Sequence, residues 1–228
     1  MTTSSKTATA TKQRVNIIAC GALAKELLAI KKINQWQHFN IECLPAIYHA
    51  SPELIPDAVE EKITQIHAQN SEEILIAYGD CGTGGKLDRV ISKNIKKGIK
   101  VSRLPGAHCY QFFAGNEVFN ALHEADIGCF YLTDFLTQHF DTYVWKMLGL
   151  DRKPELLDLY FAHYNKVIFL AQTDNPELTK KAKQAANRLG LTFERIFTAY
   201  GDMESSLQNT EYHVSIETLS STKQCNNH

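Results

Sequence analysis

The stretch Ile74-Leu75-Ile76-Ala77-Tyr78-Gly79-Asp80-Cys81-Gly82-Thr83-Gly84-Gly85 decides the fold of this chain. Residues 74–78 form a short, continuous apolar run, which is typical of a strand buried in a parallel sheet. The four glycines in residues 79–85 predict a sharp turn, and residues 86–95 continue with a helical pattern. A strand, a glycine turn and a helix in this order indicate an α/β protein.

The same order recurs along the chain. Residues 15–20 form an apolar run, and the segment after it carries apolar residues at helical spacing. Further strands are predicted at 129–132, 167–171 and 193–200, and further helices at 54–66 and 178–189. Alternating strands and helices predict open parallel sheets that are flanked by helices on both faces.

Residues 41–80 and 166–202 share a sequence pattern. Each stretch starts with an apolar run, continues with Pro-Glu-Leu and ends with Ala-Tyr-Gly-Asp. A proline suits the first turn of a helix because its missing N–H would have no helical partner there. We therefore expect two related βαβ lobes packed together, at 15–115 and 116–205. The alternative is a chance similarity between two helix-start signals.

Composition narrows the classes of function. The 24 basic and 25 acidic residues nearly balance, so the chain lacks the basic character of nucleic-acid-binding proteins. No apolar run approaches the roughly 18 residues that a membrane helix needs. Residues 1–14 differ from a secretory signal, and we expect a disordered lead there and a polar tail at 206–228. These features predict a cytoplasmic protein whose six cysteines are thiols, metal ligands or catalytic groups.

The glycine loop is the first candidate site. Successive N–H groups after a strand can bind an anion, so Gly82, Thr83, Gly84 and Gly85 are predicted to hold an anionic group of a substrate. The alternative is a tight turn without a ligand. Cys81 lies in the centre of this turn, close to the start of a helix, and we expect a lowered pKa for its thiol.

Three cysteines share comparable positions. Cys20 ends the first strand, Cys81 lies in the glycine loop, and Cys109 follows His108 in a loop with a proline and a glycine. Carboxyl ends of parallel strands meet at one edge of a sheet, so we expect these thiols to converge. Three thiolates suit a [4Fe–4S] cluster or a zinc ion that keeps one coordination position open. His108 could replace one sulfur, handle a proton as a catalytic group, or only support its loop.

The surroundings of the other three cysteines do not indicate a metal or catalytic site. Cys43 and Cys129 fall in apolar runs, where a cysteine usually serves as a small core residue. Cys225 lies in the polar tail.

Carboxylates also follow the predicted strands. Asp80 and Asp202 both follow Tyr-Gly, and each could act on a substrate or only cap the next turn. We assign Asp80 a catalytic role, and we assign Asp134 and Asp202 to substrate binding. Tyr110, beside Cys109, is predicted to form part of the substrate-binding wall.

Several of these motifs resemble one family. Residues 19–23, 77–85, 105–110 and 132–135 are similar to motifs of the family called domain of unknown function 1638, and the similarity runs from about Val15 to Met203. The resemblance implies a possible iron–sulfur protein and a setting of corrinoid-dependent methyl transfer, with a corrinoid protein or a methyltransferase as partner. The layout of three separated cysteines is also similar to that of quinolinate synthase, which is an analogy of arrangement alone.

Three functions are consistent with these features. The first is a metalloenzyme with Cys20, Cys81 and Cys109 as ligands, which acts on a small anionic or methylated substrate by lyase-like chemistry or by methyl transfer to a zinc-activated thiol. The second is a metal-free enzyme in which Cys81 is the nucleophile and His108 the base. The third is a non-catalytic accessory protein of corrinoid-dependent methyl transfer.

Overall fold

A computed structural model describes residues 14–69 and 73–208. The predicted lead at 1–14 and tail at 206–228 therefore lie almost wholly outside the described residues. Cys225 and a strand-like run at 212–216 lie outside them as well.

The first half of the chain forms a parallel sheet of four strands in the order β2-β1-β3-β4. These strands are β1 (Val15–Cys20), β2 (Phe39–Leu44), β3 (Glu73–Ala77) and β4 (Val101–Arg103). Helices α1 (Ala24–Ile33), α2 (Ile55–His67) and α3 (Lys86–Ile95) connect them. Short 3₁₀ turns at Gly21–Leu23, Ala46–Ala50 and Pro52–Leu54 complete this half.

The second half forms a parallel sheet of three strands in the order β5-β6-β7. These strands are β5 (Cys129–Leu132), β6 (Lys166–Ala171) and β7 (Thr192–Phe197). Helices α4 (Cys109–Ala114) and α5 (Asn116–Ala125) lead from the first sheet to the second. The remaining helical segments are α6 (Asp134–Gln138), a π-helical turn at Asp141–Lys146, α7 (Leu156–Phe161), α8 (Pro176–Leu189) and α9 (Met203–Gln208).

The predicted fold class is confirmed, since the chain has two parallel sheets flanked by helices. Local chemistry explains the clearest helix, α8. Asn175 precedes it and accepts a hydrogen bond from the backbone N–H of Glu177 at 2.9 Å, and Pro176 occupies its first position. Gly190 ends α8 with a left-handed φ of 73°, a conformation that glycine adopts without a steric penalty.

Some element boundaries differ from the prediction. The three-residue strand β4 was not predicted, because Val-Ser-Arg is too short to show a period. A third Pro-Glu-Leu, at residues 154–156, predicts a helix that opens at Pro154, whereas α7 begins at Leu156. Strand β7 ends at Phe197 rather than at Tyr200.

The two stretches with the shared pattern take different places in their sheets. In the first stretch, β2 and β3 lie on opposite sides of β1. In the second stretch, β6 and β7 are direct neighbours with Lys166 opposite Thr192. The shared pattern therefore does not extend to the same strand neighbours.

The last helix of the second half packs on the first half. Met203 and Leu207 of α9 are 0% and 5% exposed and belong to the core of the first sheet. The amide of Asn34 also donates to Glu204 at 2.9 Å. The end of the predicted second lobe thus packs on the first lobe, and the chain folds as closely joined halves. Among the helices of the described ranges, none has the length and apolar character needed to cross a bilayer.

Asp134 joins the carboxyl ends of β5 and β6. Its carboxylate accepts hydrogen bonds from the backbone N–H of Gln172 at 3.0 Å and of Thr173 at 3.0 Å, and from the Thr173 hydroxyl at 2.5 Å. Its own N–H donates to the Gln172 side chain at 2.7 Å. Asp134 is only 8% exposed, so these bonds replace water for a buried charge.

We expect Asp134→Asn to destabilise the protein by about 2 kcal/mol, because an amide has one acceptor oxygen and turns its NH₂ group toward donors. Chemical denaturation would measure the change. Asp174→Asn is the matched control beyond the end of β6, since its exposed carboxylate pairs with the Arg195 side chain at 2.8 Å. Equal destabilisation by both substitutions would contradict the role given to Asp134.

Candidate thiol site between the two sheets

Gly79 lets the glycine loop lie directly against the loop that carries Cys109. A Cβ atom at Gly79 would lie 2.9 Å from the carbonyl oxygen of Gly106, a distance that side chains do not tolerate. The residues after Gly79 continue the contact through the backbone. The N–H of Asp80 donates to Gly106 at 3.1 Å, and the N–H of Cys81 donates to Ala107 at 2.8 Å.

Gly201 makes the equivalent contact at the other end of the same segment. A Cβ atom there would lie 2.4 Å from the carbonyl oxygen of Phe112 and 2.3 Å from that of Phe113. The N–H of Asp202 donates to the carbonyl of Phe112 at 2.9 Å. The two Tyr-Gly-Asp sequences therefore hold residues 106–113 from both ends, and Cys109 lies within that segment.

The glycine loop binds its own aspartate. The Asp80 carboxylate accepts from the Thr83 hydroxyl at 2.8 Å, from the N–H of Gly85 at 2.8 Å and from the N–H of Gly84 at 3.1 Å. Burial alone would raise the pKa of Asp80, but these bonds outweigh it and lower the pKa. Asp80 thus takes the anion position that we predicted for a substrate, and its oxygens are engaged within the loop. Because Thr83, Gly84 and Gly85 donate to Asp80, their hydrogen bonding does not support substrate binding by these residues. Gly82 lies in the same turn, and a Cβ atom there would lie 3.5 Å from the Pro52 side chain.

Cys81 adopts an uncommon backbone conformation. Its φ is +50°, in the left-handed region that few residues other than glycine occupy. Gly82, Gly84 and Gly85 have positive φ values too, so four of the five residues 81–85 have a positive φ. A side chain held in such a conformation is a recognised mark of a functional position.

The pKa values of the three predicted thiols are all raised. Burial and the nearby Cys20 raise the pKa of Cys81 to about 12. Burial raises the pKa of Cys109 well above its ordinary value, and Cys81 and Cys20 contribute further. Burial also raises the pKa of Cys20. The prediction of a lowered pKa for Cys81 is therefore wrong, because burial and the neighbouring thiols outweigh any benefit from the following helix.

A tyrosine hydroxyl lies at the same place. Tyr78 is 1% exposed, so its hydroxyl is buried. Burial raises its pKa, and the charge of Cys20, a hydrogen bond with the Cys20 thiol and the charge of Cys81 raise it further. The Tyr78 hydroxyl therefore pairs with one of the three thiols.

Arg103 donates hydrogen bonds to the loop that precedes Cys109. It is 5% exposed, and it donates to Asp88 at 2.6 Å and to the carbonyls of Leu104 at 2.8 Å and Gly106 at 3.2 Å. Its charge also lowers the pKa of Cys81, though by less than burial raises it. No sequence pattern identified Arg103 as part of the site, because β4 is too short to be predicted.

His108 and Tyr110 flank Cys109 on different sides. His108 is exposed, and its ring centroid lies 6.0 Å from that of Tyr110. The ring of Tyr110 stacks on Tyr131 at 5.5 Å, which joins the segment to the second sheet. A substrate-binding role for Tyr110 and a proton-transfer role for His108 both stay predictions.

Of the two cysteines predicted to be core residues, only one is buried. Cys129 is buried as expected, but Cys43 is exposed on β2. Across residues 14–69 and 73–208, no three His, Cys, Asp or Glu side chains form a group that could hold a metal ion as they stand.

A model of the family described as protein of unknown function (DUF1638) matches residues 43–207. The chain belongs to this family. The matched range includes Cys81 and Cys109 and begins after Cys20, so Cys20 lies outside it. No curated protein and no solved structure matches the chain. Membership confirms the resemblance and adds no activity.

Asp202 and Asp134 do not lie free at the site. Asp202 accepts a hydrogen bond from the N–H of Asn116 at 3.0 Å, so it caps the start of α5. Asp134 bridges two strand ends but also lines a cleft between the halves. Glu26 was not predicted from the sequence. It lines the same cleft, and its charge contributes to the raised pKa of Cys109. No local motif marked Glu26, because it lies in an ordinary amphipathic helix.

Asp80→Asn should lower the free energy of unfolding at pH 7, because three donors lose a charged acceptor. Since the folded pKa of Asp80 is lowered, its stabilisation is complete above about pH 5 and declines as the pH falls through the folded pKa. The difference between wild type and variant should therefore shrink below about pH 4. Urea denaturation across pH 3–7 would measure it, and a difference that is constant with pH would refute this role.

Proposed function

We propose that Cys20, Cys81 and Cys109 form a thiolate site for a soft metal centre, either a [4Fe–4S] cluster or a zinc ion. The observation that supports the proposal is that Cys20 acts on the pKa of Cys81, and that both act on the pKa of Cys109, although the three thiols come from three separate elements. Soft thiolates select these two centres over hard cations such as magnesium.

The electrostatics of the site support a cation. Cys20 raises the pKa of Cys81, and Cys81 and Cys20 raise the pKa of Cys109, because adjacent thiolates would repel. A bound metal cation removes this repulsion and deprotonates the thiols that coordinate it. Binding a single ion requires the three sulfurs to draw closer than they stand here, whereas the cysteine ligands of a cluster attach to different irons.

The chain also supplies the surroundings that a metal centre needs. The backbone bonds from Asp80 and Cys81 fix the position of Cys109 relative to Cys81. The Tyr78 hydroxyl offers a hydrogen bond to a sulfur, which orients a ligand thiolate. With three protein ligands, the centre keeps one coordination position and acts there as a Lewis acid on a small-molecule substrate, by lyase-like chemistry or methyl transfer.

Protein purified without oxygen should contain about one metal centre per chain, or take one up on reconstitution. We expect Cys20→Ser, Cys81→Ser and Cys109→Ser each to reduce the bound metal severely, because a hydroxyl replaces a soft ligand. Elemental analysis for iron and zinc, with an assay for acid-labile sulfide, would measure this. Iron with sulfide identifies a cluster, and zinc without sulfide identifies a zinc site.

Cys129→Ser is the matched control, since Cys129 is a buried cysteine of the second sheet. It should keep the full metal content. A metal-free protein that also fails reconstitution, or equal loss in the Cys129 variant, would overturn the proposal.

The metal-free alternative requires a reactive thiolate at Cys81. The pKa of about 12 means that Cys81 is almost entirely a thiol at neutral pH. In chelator-treated protein at pH 7.5, we expect iodoacetamide to alkylate the exposed Cys43 faster than Cys81. Peptide mass spectrometry over time would measure both rates. Labelling of Cys81 before Cys43 would favour the cysteine-nucleophile mechanism instead.

A further inference from the structure

A cleft of about 520 Å³ separates the carboxyl edges of the two sheets. One wall is the start of α1 with the turn before it, and the other wall comes from α6 and from the loops after β6 and β7. The cleft is lined mainly by apolar and aromatic groups, among them Ala22, Ala29, Phe135, Leu178 and Tyr200. This volume and character suit a small organic molecule.

Glu26 is the exceptional residue of this lining. It is 6% exposed, and its Oε2 atom has no hydrogen-bond partner in residues 14–69 and 73–208. Buried carboxyl oxygens are almost always paired, because burial removes their water. The free oxygen of Glu26 therefore marks a position where a ligand supplies the missing partner.

The opposite wall adds a second carboxylate. Asp134 is buried there and is held by backbone N–H groups of the second sheet. Burial raises the pKa of Glu26, the charge of Asp134 raises it further, and the charge of Lys25 lowers it. Burial also raises the pKa of Tyr200, and both carboxyl groups raise it further. The other titratable groups of the lining, Lys25 and His139, are both exposed. The buried part of the cleft is thus acidic on both sides.

We propose that this cleft binds a small organic cation, with the ammonium group against Glu26 and the carbon groups against the apolar walls. An anion would face two carboxyl groups, whereas a cation supplies charge to the unpaired oxygen. The aromatic rings of Phe135 and Tyr200 add favourable surfaces for a cation. This site goes beyond the thiol centre and does not depend on a bound metal.

Choline is a suitable probe because its trimethylammonium group supplies the positive charge and its hydroxyl can donate to Oε2 of Glu26. 3,3-Dimethyl-1-butanol keeps the hydroxyl and nearly the same shape without the charge. We expect choline to bind the full-length, chelator-treated protein in isothermal titration calorimetry, and the neutral alcohol and acetate to bind at least about tenfold more weakly. Glu26→Gln keeps the shape of the side chain and should weaken choline binding on the order of tenfold.

Glu117→Gln is the matched control, since Glu117 is an exposed acid in the first turn of α5, another ten-residue helix. It should leave choline binding unchanged. Ala29→Leu fills the cleft without altering charge and should also weaken binding. Cys81→Ser should bind choline as the wild type does, which separates this inference from the proposed metal centre.

Two results would overturn the cation site. One is equal binding of choline and the neutral alcohol, which would make the cleft a general apolar site. The other is unchanged choline binding in both Glu26→Gln and Ala29→Leu, which would place the cation elsewhere. Far-ultraviolet circular dichroism of each variant confirms that a loss of binding comes from a folded protein.

Discussion

The close approach of two glycines to one backbone segment organises this molecule. Gly79 and Gly201 follow strands of different sheets, yet both lie against residues 106–113 at distances that exclude a side chain. The amides of Asp80 and Asp202 then bond to the same segment. Because this segment leads from the first sheet to the second, the contacts fix the sheets relative to each other. The thiol site and the cleft between the carboxyl edges of the two sheets both depend on that placement.

Much of the fold was predictable from the sequence because the strands are buried on both faces. Apolar runs such as 15–20 and 129–132 mark strands to the residue, and the capped, proline-started α8 was equally clear. Strand order was not predictable. Whether β3 lies beside β2 or across β1 depends on how α1 and α2 pack, and no local pattern records that choice.

The candidate site was predictable in its cysteines but not in its electrostatics. Cys81 and Cys109 stand out by their glycine-containing loops, yet nothing in those loops shows that burial raises their pKa values. Asp80 was recognised as important, but its partners turned out to be in its own loop. Glu26 and Tyr78 were missed because their significance depends on neighbours distant in sequence. Oε2 of Glu26 has no hydrogen-bond partner within the described residues, and the Tyr78 hydroxyl pairs with Cys20.

The way residues 106–113 are held has a consequence for evolution. Both ends of the segment are fixed through main-chain atoms, by carbonyls that any residue possesses, and the steric demand falls on glycines elsewhere in the chain. Exposed side chains between the two anchors, such as His108, are therefore freer to vary than the buried Phe112 and Phe113. A scaffold of this kind can exchange the chemistry at its centre while keeping its architecture, so relatives with different residues here could perform different reactions on one fold.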